Sequence, residues 1–306
     1  MYSLKIGKQV VKITHGQNIL FPQTGITKNE LINYYLHIAP TMIPYIKNRP
    51  ITMHRFTKGI EKEGFFQKNV SEYFPRWIKR VTIAKKEDGV VNYAVCNNAA
   101  TLVYLANQLC ITPHIWLSKI DKLNFPDRMI FDLDPSTKHF APIIFTAKKL
   151  KNILEKLGLK TFVMTTGSRG LHIVVALDRK NNFDFVRKFA KDVAAILVNK
   201  YPKIVTSEIR KIKRGRKIFI DTYRNSFAQT SVAPYAVRAK KGAPVATPIE
   251  WREVNSKLKP DKYTIKNIFK RLGQKDDPWK HINKFPCTLK HARKKLDNIL
   301  KNLKIV

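Results

Sequence analysis

The chain has 306 residues, 44% of them apolar, so it is long enough to bury a core without disulfides or a structural metal. It carries 58 Lys and Arg against 22 Asp and Glu, a formal net charge of +36 that is typical of a protein binding a polyanion. Nucleic acid is the leading candidate for that partner. An anionic membrane surface and a general enrichment in lysine are the alternatives.

The sequence lacks the features of a membrane or exported protein. No apolar run approaches 18 residues, and the first 14 residues contain no apolar targeting segment. Cys96, Cys110 and Cys287 are widely spaced and form no C-x-x-C pair, which argues against a disulfide framework or a zinc site. We therefore expect a cytoplasmic, nucleoid-associated protein with no membrane partner.

The first third of the chain mixes strands and helices. A strand is predicted over residues 4–14, and Thr27 with Glu30 forms a capping-box pattern for a helix over residues 31–38, before Pro40. Further elements follow this helix: strands over 50–56, 80–84 and 90–95, then a helix over 98–109.

From residue 128 onward, strands and helices alternate. Strands are predicted over 128–134, 161–166, 171–177 and 217–221, helices over 143–157 and 183–201, and basic amphipathic helices after Pro260. The pattern predicts an α+β fold with mixed or antiparallel sheets flanked by helices. We expect one catalytic domain over 1–306, with an N-terminal module at about 1–125, a metal-bearing module at about 126–255 and a basic helical tail at about 256–306.

Three carboxylates end two of the predicted strands. Asp132 and Asp134 are two positions apart on one strand, so they share a face, whereas Phe131 and Leu133 point to the other face. Asp221 ends the short apolar strand KIFID. Neighbouring acids repel each other, and a divalent cation removes that conflict, so the three residues are candidate metal ligands. The structural alternatives are a solvent-facing acidic pair and, for Asp221, a turn residue.

A glycine-containing turn, TTGSRGLH, lies between these acids in the sequence. Gly167 and Gly170 allow a tight turn that exposes backbone N–H groups, Ser168 adds a hydroxyl donor and Arg169 a forked cation, which together are typical of a triphosphate site. His172 follows on the strand. It is either a phosphate donor or a hydrogen-bonded strand histidine.

Two further segments are typical of nucleic-acid binding. Phe65 and Phe66 lie in a polar segment, so at least one ring is a candidate for base stacking, with core packing as the alternative. The run 209–217 is strongly basic and precedes the Asp221 strand, where template or nucleotide phosphates would lie, although such a run is often simply solvated. Its basic residues are Arg210, Lys211, Lys213, Arg214, Arg216 and Lys217.

In this order and at these spacings, FDLDPS, TTGSRGLH and FID resemble the three motifs of archaeo-eukaryotic primases. The likeness is strongest to the polymerase domain of bacterial ligase D, and it covers most of the chain, with matching segments that include LFPQTGITKNEL, GFFQK, PHIWLS, SEIRKIKR and FIDTYRN. No ligase or nuclease sequence follows, so we expect a stand-alone or excised polymerase module.

The resemblance implies roles for individual residues and a reaction. It makes Asp132, Asp134 and Asp221 the ligands of two Mn²⁺ or Mg²⁺ ions. The residues it places at the incoming nucleoside triphosphate are Ser168, Arg169, His172, His54, His114, Arg224 and Arg238. It further implies manganese preference, ribonucleotide insertion, gap filling and synapsis of broken ends in non-homologous end joining, with Ku and a separate DNA ligase as partners.

The sequence departs from the family at several of these positions. Arg169 and His54 each stand where the family usually has Lys. His15 and Asn18 replace the usual Asn and Lys near the N-terminus, whereas Lys28 is retained. Recognition of a downstream 5′-phosphate, which the family assigns to a lysine pair, is therefore expected to depend on Lys28.

These features lead to one functional expectation. We expect a DNA repair polymerase that adds nucleotides, preferring ribonucleotides, to 3′ ends at gaps and double-strand breaks by two-metal phosphoryl transfer. The alternatives are a non-catalytic basic module that binds DNA ends, a primase that makes primers de novo, and a sugar-nucleotide transferase that uses D-x-D.

Overall fold

The computed structural model describes residues 1–85, 88–137 and 139–304, which form two compact units. Unit 1 comprises Met1–Asp121, Thr230–Thr247 and Tyr263–Lys275, and unit 2 comprises Lys122–Gln229, Pro248–Lys262 and Asp276–Val306. Segments after residue 230 thus alternate between the units. The single catalytic domain with three modules stays a prediction. Within the described ranges, no helix is long and apolar enough to cross a bilayer.

Strands and helices are numbered in chain order. The strands are β1 Tyr2–Ile6, β2 Gln9–Ile13, β3 Ile19–Phe21, β4 Ile26–Thr27, β5 Pro50–Arg55, β6 Phe65–Gln67, β7 Arg80–Ala84, β8 Val90–Val95, β9 Cys110–Trp116, β10 Arg128–Pro135, β11 Phe162–Thr165, β12 Leu171–Ala176, β13 Val205–Thr206, β14 Ile218–Asp221, β15 Thr230–Val232 and β16 Pro248–Ile249. The helices are α1 Lys28–Ile46, α2 Ala99–Asn107, α3 Ala141–Lys156, α4 Phe183–Lys200, α5 Ile268–Gln274 and α6 Leu289–Asn302.

Unit 1 contains an antiparallel sheet in the order β15-β9-β5-β8-β7, with β6 also paired to β5. Helix α1 begins at the predicted capping box: the Thr27 hydroxyl accepts from the Glu30 backbone N–H, and the Glu30 carboxylate accepts from the Thr27 N–H. This helix packs against α2, which contacts β9. The sheet pairing places the histidine-bearing parts of β5 and β9 side by side.

Unit 2 contains the sheet β13-β14-β10-β12-β11-β16, in which only the β13–β14 pair is parallel among the described strands. Helices α3 and α4 contact β10, and α6 packs on α4. Phe131 and Leu133 of β10 are fully buried, as are Leu150 of α3 and Phe189 of α4, so apolar burial holds the helices against the sheet. The predicted α+β fold with mixed or antiparallel sheets flanked by helices is confirmed, and antiparallel pairs dominate the sheets.

Several predicted boundaries were wrong. The strand expected over 4–14 is a hairpin of β1 and β2, because Gly7 adopts a left-handed φ of +59° and reverses the chain. Helix α1 does not end before Pro40 but continues through Pro40 and Pro44 to Ile46. Its buried residues Ile38 and Met42 hold it in place despite the backbone hydrogen bonds that the prolines remove. The sequence did not predict β9, whose apolar run is interrupted by Pro113 and His114.

Candidate active site

The three predicted acids come together on the sheet of unit 2. Asp132 of β10 is directly opposite Asp221 of β14 in the antiparallel register, and paired residues project to the same face. Asp134 is two positions further along β10 and so shares that face. The side chains of Asp132 and Asp221 are each 18% exposed, and that of Asp134 is 34% exposed. The fold therefore forms a partly buried carboxylate face from residues almost 90 positions apart in the chain.

Basic side chains surround these carboxylates. The Nε atom of Arg224 lies 3.7 Å from Oδ2 of Asp132 and 3.7 Å from Oδ2 of Asp221. Arg169 places a guanidinium nitrogen 3.3 Å from Oδ1 of Asp134. His172 is paired with Asp132 across the β10–β12 register, and its Nε2 lies 3.4 Å from Oδ1 of that residue. Arg169, His172 and Arg224 therefore lie beside the acids, and their roles at the incoming nucleotide stay a prediction.

The electrostatics of Asp221 reflect this crowding. Burial raises the pKa of its carboxyl above the usual range, and the nearby Asp132 carboxylate raises the pKa further. The Tyr223 backbone N–H, which donates to Oδ1 of Asp221 at 2.7 Å, and the Arg224 guanidinium act in the opposite direction and lower the pKa. The acids therefore lie where additional positive charge would be stabilising.

The donor set fits an oxygen-bound divalent cation such as Mn²⁺ or Mg²⁺, because three carboxylates share one face of two adjacent strands. Across residues 1–85, 88–137 and 139–304, no group of three His, Cys, Asp or Glu side chains has its donor atoms gathered in ligating geometry. Guanidinium groups of Arg169 and Arg224 contact carboxylate oxygens that a cation would use.

The glycine-containing turn follows β11 and leads into β12. Gly167 has a left-handed φ of +63°, and a Cβ atom at Gly170 would lie 2.2 Å from the Leu133 carbonyl oxygen, so the turn passes too close to β10 for any side chain at that position. The backbone N–H groups of Ser168 and Gly170 donate to the Thr166 hydroxyl at 3.3 and 3.1 Å. This corrects the expectation that these N–H groups face an anion. The outward-facing cation of the turn is Arg169, whose side chain is 61% exposed.

The predicted nucleotide residues of unit 1 form a cluster around β5 and β9. The His54 ring stacks on the Phe66 ring with a centroid distance of 4.1 Å and lies 6.2 Å from the His114 ring. Burial, together with the positive charge of Arg238, lowers the pKa of His54 to about 4, so its imidazole is neutral at physiological pH. Phe65 and Phe66 are 46% and 57% exposed, so neither ring belongs to the core, and their role in base stacking stays a prediction.

Lys28 lies at the start of α1, but its environment differs from the prediction. The residue is only 4% exposed, and its ammonium group donates to the Thr14 carbonyl oxygen at 2.7 Å. Burial lowers the pKa of this amine. Asn18 is close by, since its carbonyl oxygen accepts from the Lys28 backbone N–H at 2.8 Å. The expected phosphate ligand is thus an internal hydrogen-bond donor in this conformation.

The basic run 209–217 is a loop containing one short 3-10 turn, Lys211–Lys213, and its basic residues differ in exposure. Arg214 is 8% exposed and donates to the carbonyl oxygens of Glu208 and Ile209 at 2.8 and 2.7 Å. Its guanidinium lies 3.6 Å from the Phe219 ring centroid. Arg214 is therefore a structural anchor, which corrects its assignment to the DNA surface. Exposed positions of the same run are Arg210, Lys211, Lys213 and Arg216.

Asn225 is a residue of this site that sequence reasoning missed. It is fully buried, its Oδ1 accepts from the Ile130 backbone N–H, and its Nδ2 donates to the Ile130 carbonyl oxygen. These two bonds fix the turn after β14 to strand β10, and so position Arg224 beside the acids. The signal available in the sequence was an amide residue directly after that arginine in FIDTYRN.

Comparison with known proteins gives consistent matches. The family described as "LigD, primase-polymerase domain" matches residues 27–279. The multifunctional non-homologous end joining protein LigD of Mycolicibacterium smegmatis is 33% identical over 247 residues, covering 80% of this chain and 32% of that protein. The bifunctional LigD of Bacillus subtilis is 28% identical over 271 residues, covering 88% of this chain and 43% of that protein.

A solved structure gives the same result. The polymerase domain of Mycobacterium tuberculosis ligase D, in complex with DNA, superposes with a TM-score of 0.85 at 29% identity and covers 90% of this chain and 99% of that one. The chain spans about a third of the length of the mycobacterial relatives that it matches. The resemblance inferred from the sequence motifs is thereby confirmed, and the chain belongs to the LigD primase-polymerase domain family.

Proposed function

We propose that this chain is a nucleotidyltransferase that adds nucleotides, preferentially ribonucleotides, to DNA 3′ ends at gaps and double-strand breaks in non-homologous end joining. The single observation that carries the proposal is the carboxylate face, in which Asp132 and Asp221 are cross-strand partners and Asp134 lies beside them. Two-metal nucleotide transfer to a hydroxyl uses such an acidic face bordered by cations, because the nucleophile, the ions and the phosphates converge there.

In this proposal Asp132, Asp134 and Asp221 would hold two divalent ions, preferably Mn²⁺. When bound, the ions supply the positive charge that favours an ionised primer 3′-hydroxyl and a departing pyrophosphate. The protein positions the other reactants. Arg169, which is exposed on the turn, is assigned to the triphosphate together with the Ser168 hydroxyl, and Arg224 lies between two of the acids. His172, buried next to Asp132, orients that carboxylate.

Binding of the DNA substrate is assigned to basic and aromatic surfaces. The net charge of +36 favours DNA through release of counterions. The exposed Phe65 and Phe66 rings offer stacking surfaces for bases, and the neutral His54 imidazole supports the Phe66 ring from one side. His114 and Arg238 complete this group and are assigned to the nucleotide. Ku and a separate DNA ligase are the proposed protein partners, in line with the end-joining names of the relatives.

Extension of a labelled primer on a gapped duplex tests the proposal. Four reactions supply Mn²⁺ or Mg²⁺ with ribonucleotides or deoxyribonucleotides, and templates with and without a downstream 5′-phosphate are compared. The expected result is extension in every reaction, fastest with Mn²⁺ and ribonucleotides. Tight binding of the gapped duplex without extension under any of these conditions would identify a DNA-end binding module instead.

A further inference from the structure

Unit 2 contains a cavity of about 410 Å³ between helix α4 and the end of strand β14. Asp221 is part of its lining, so the cavity borders the carboxylate face. Its volume lies within the range of roughly 300–1,000 Å³ that is usual for sites that bind small molecules. The other side chains of the cavity wall belong neither to the candidate metal ligands nor to the glycine-containing turn.

Those side chains combine an exposed aromatic ring with cations. Tyr223 is 49% exposed, and the Arg187 guanidinium lies 5.0 Å from the centroid of its ring. Lys191 is one helical turn after Arg187 on α4 and also lines the cavity. Phe219 and Ile209 supply an apolar wall. A ring for stacking beside cations for a phosphate is the combination that binds single-stranded nucleic acid.

The one acid that α4 contributes to the wall is already paired. Asp192 accepts a hydrogen bond from the Arg293 guanidinium and lies 3.5 Å from Lys188. Its negative charge is therefore balanced by groups of unit 2, so it does not cancel the attraction that Arg187 and Lys191 exert on an anion. The loop that contributes Ile209 to the cavity is also fixed in position, through Arg214 and its bonds to backbone carbonyl oxygens.

We propose that this cavity receives one unpaired nucleotide of the DNA substrate, with its base against the Tyr223 ring and its phosphate towards Arg187 and Lys191. The inference rests on the proposed action at DNA ends. It adds to that site a position for a base that has no pairing partner. Because Asp221 borders both regions, the nucleotide is the one at, or next to, the reacting primer terminus.

Two gapped duplexes that differ at one position test this inference. In the first, the primer ends in 2-aminopurine opposite a non-pairing base, and in the second the same nucleotide is paired. Fluorescence anisotropy gives the Kd of each duplex, and 2-aminopurine emission reports stacking. The wild type is expected to bind the unpaired duplex more tightly relative to the paired one, and to quench its emission. Tyr223→Ala should reduce that relative preference about 5- to 150-fold, equivalent to the roughly 1–3 kcal/mol of one base stacked on an aromatic ring.

The controls separate stacking from loss of fold. Tyr223→Phe keeps the ring and should retain the preference, and so should Tyr201→Ala, which removes a tyrosine that packs on Phe145 outside the cavity. Arg187→Gln should lower the salt dependence of binding to the unpaired duplex by the equivalent of about one neutralised phosphate. Equal preference in Tyr223→Ala and the wild type would overturn the inference. Binding of free 2-aminopurine nucleoside monophosphate as tight as that of the unpaired duplex would overturn it as well.

The two proposals can fail independently in this design. Asp132→Ala removes a carboxylate of the reaction centre but no residue of the cavity wall. A preference for the unpaired duplex that depends on Tyr223 in that variant supports the cavity assignment, whatever the primer extension assay shows. Extension by the wild type without any such preference overturns the cavity assignment and leaves the proposed reaction standing.

Discussion

At the residue scale, the basic side chains have quite different roles. Arg169 and Arg224 contact the carboxylates of the candidate reaction centre. Arg214 and Lys28 donate instead to backbone carbonyl oxygens of their own unit and are almost fully buried. A buried cation keeps its charge only where hydrogen bonds compensate for the water it gives up, so these two residues contribute to folding before they contribute to binding.

Lys28 provides a test of that distinction. Lys28→Met keeps the aliphatic part of the side chain but leaves the Thr14 carbonyl oxygen without its donor. We expect the free energy of unfolding, measured by urea denaturation, to fall by about 1–3 kcal/mol. Binding of gapped duplexes with and without a 5′-phosphate is measured alongside. If the variant is as stable as the wild type and loses only the phosphate preference, Lys28 is a phosphate ligand and its internal bond contributes nothing.

The pKa of His54 gives a second prediction for a single residue. Its folded-state pKa of about 4 lies below the unfolded value of about 6.5, so the unfolded chain binds the proton more readily. The contribution of His54 to stability is therefore complete above pH 6.5 and is lost as the pH falls through about 4. An NMR titration of the His54 ring should show a midpoint near pH 4 in the wild type. In Arg238→Gln the midpoint should rise only part of the way, because burial remains; a wild-type midpoint near 6.5 would contradict this environment.

At the element scale, periodicity and capping were reliable guides where one face of an element is buried. The capping box of α1 and the apolar stripe of α4 predicted both helices, because these local signals match the packing that stabilises the elements. Sequence alone did not reveal that β10 and β14 pair with Asp132 opposite Asp221, since strand register depends on contacts between distant segments. For the same reason, the sequence did not predict the hydrogen bonds of Arg214 to backbone carbonyl oxygens.

The basic loop 209–217 gives a testable prediction at the element scale. Lys211 and Lys213 are exposed, so Lys211→Gln with Lys213→Gln should weaken DNA binding equally for all sequences and lower the slope of log K against log salt by about 0.9 for each phosphate that the variant no longer neutralises. Arg214→Lys keeps the charge but cannot donate to both carbonyl oxygens in the same geometry. It should lower thermal stability without changing the salt slope. Unchanged slopes in the double variant would mean that the loop is only solvated.

At the scale of the whole molecule, motif order was more informative than composition. The charge of +36 indicated a polyanionic partner but no reaction, whereas FDLDPS, TTGSRGLH and FID in that order indicated the family to which the chain belongs. The structure brings the acids, Arg169 and His172 of these motifs together in one unit, and their roles in the reaction stay a prediction. The interleaving of the two units along the chain was not predictable, because segments after residue 230 carry no signal of the unit that they join.

The central claim is that the carboxylate face performs nucleotide addition and that DNA affinity comes from other surfaces. The most direct measurement compares the wild type with Asp132→Ala and Asp134→Ala, with primer extension on a gapped duplex and the Kd for that duplex determined for each protein. We predict that extension is abolished in both variants while the Kd changes by less than about threefold, because neither acid attracts phosphate. Extension at close to the wild-type rate in either variant would contradict the account.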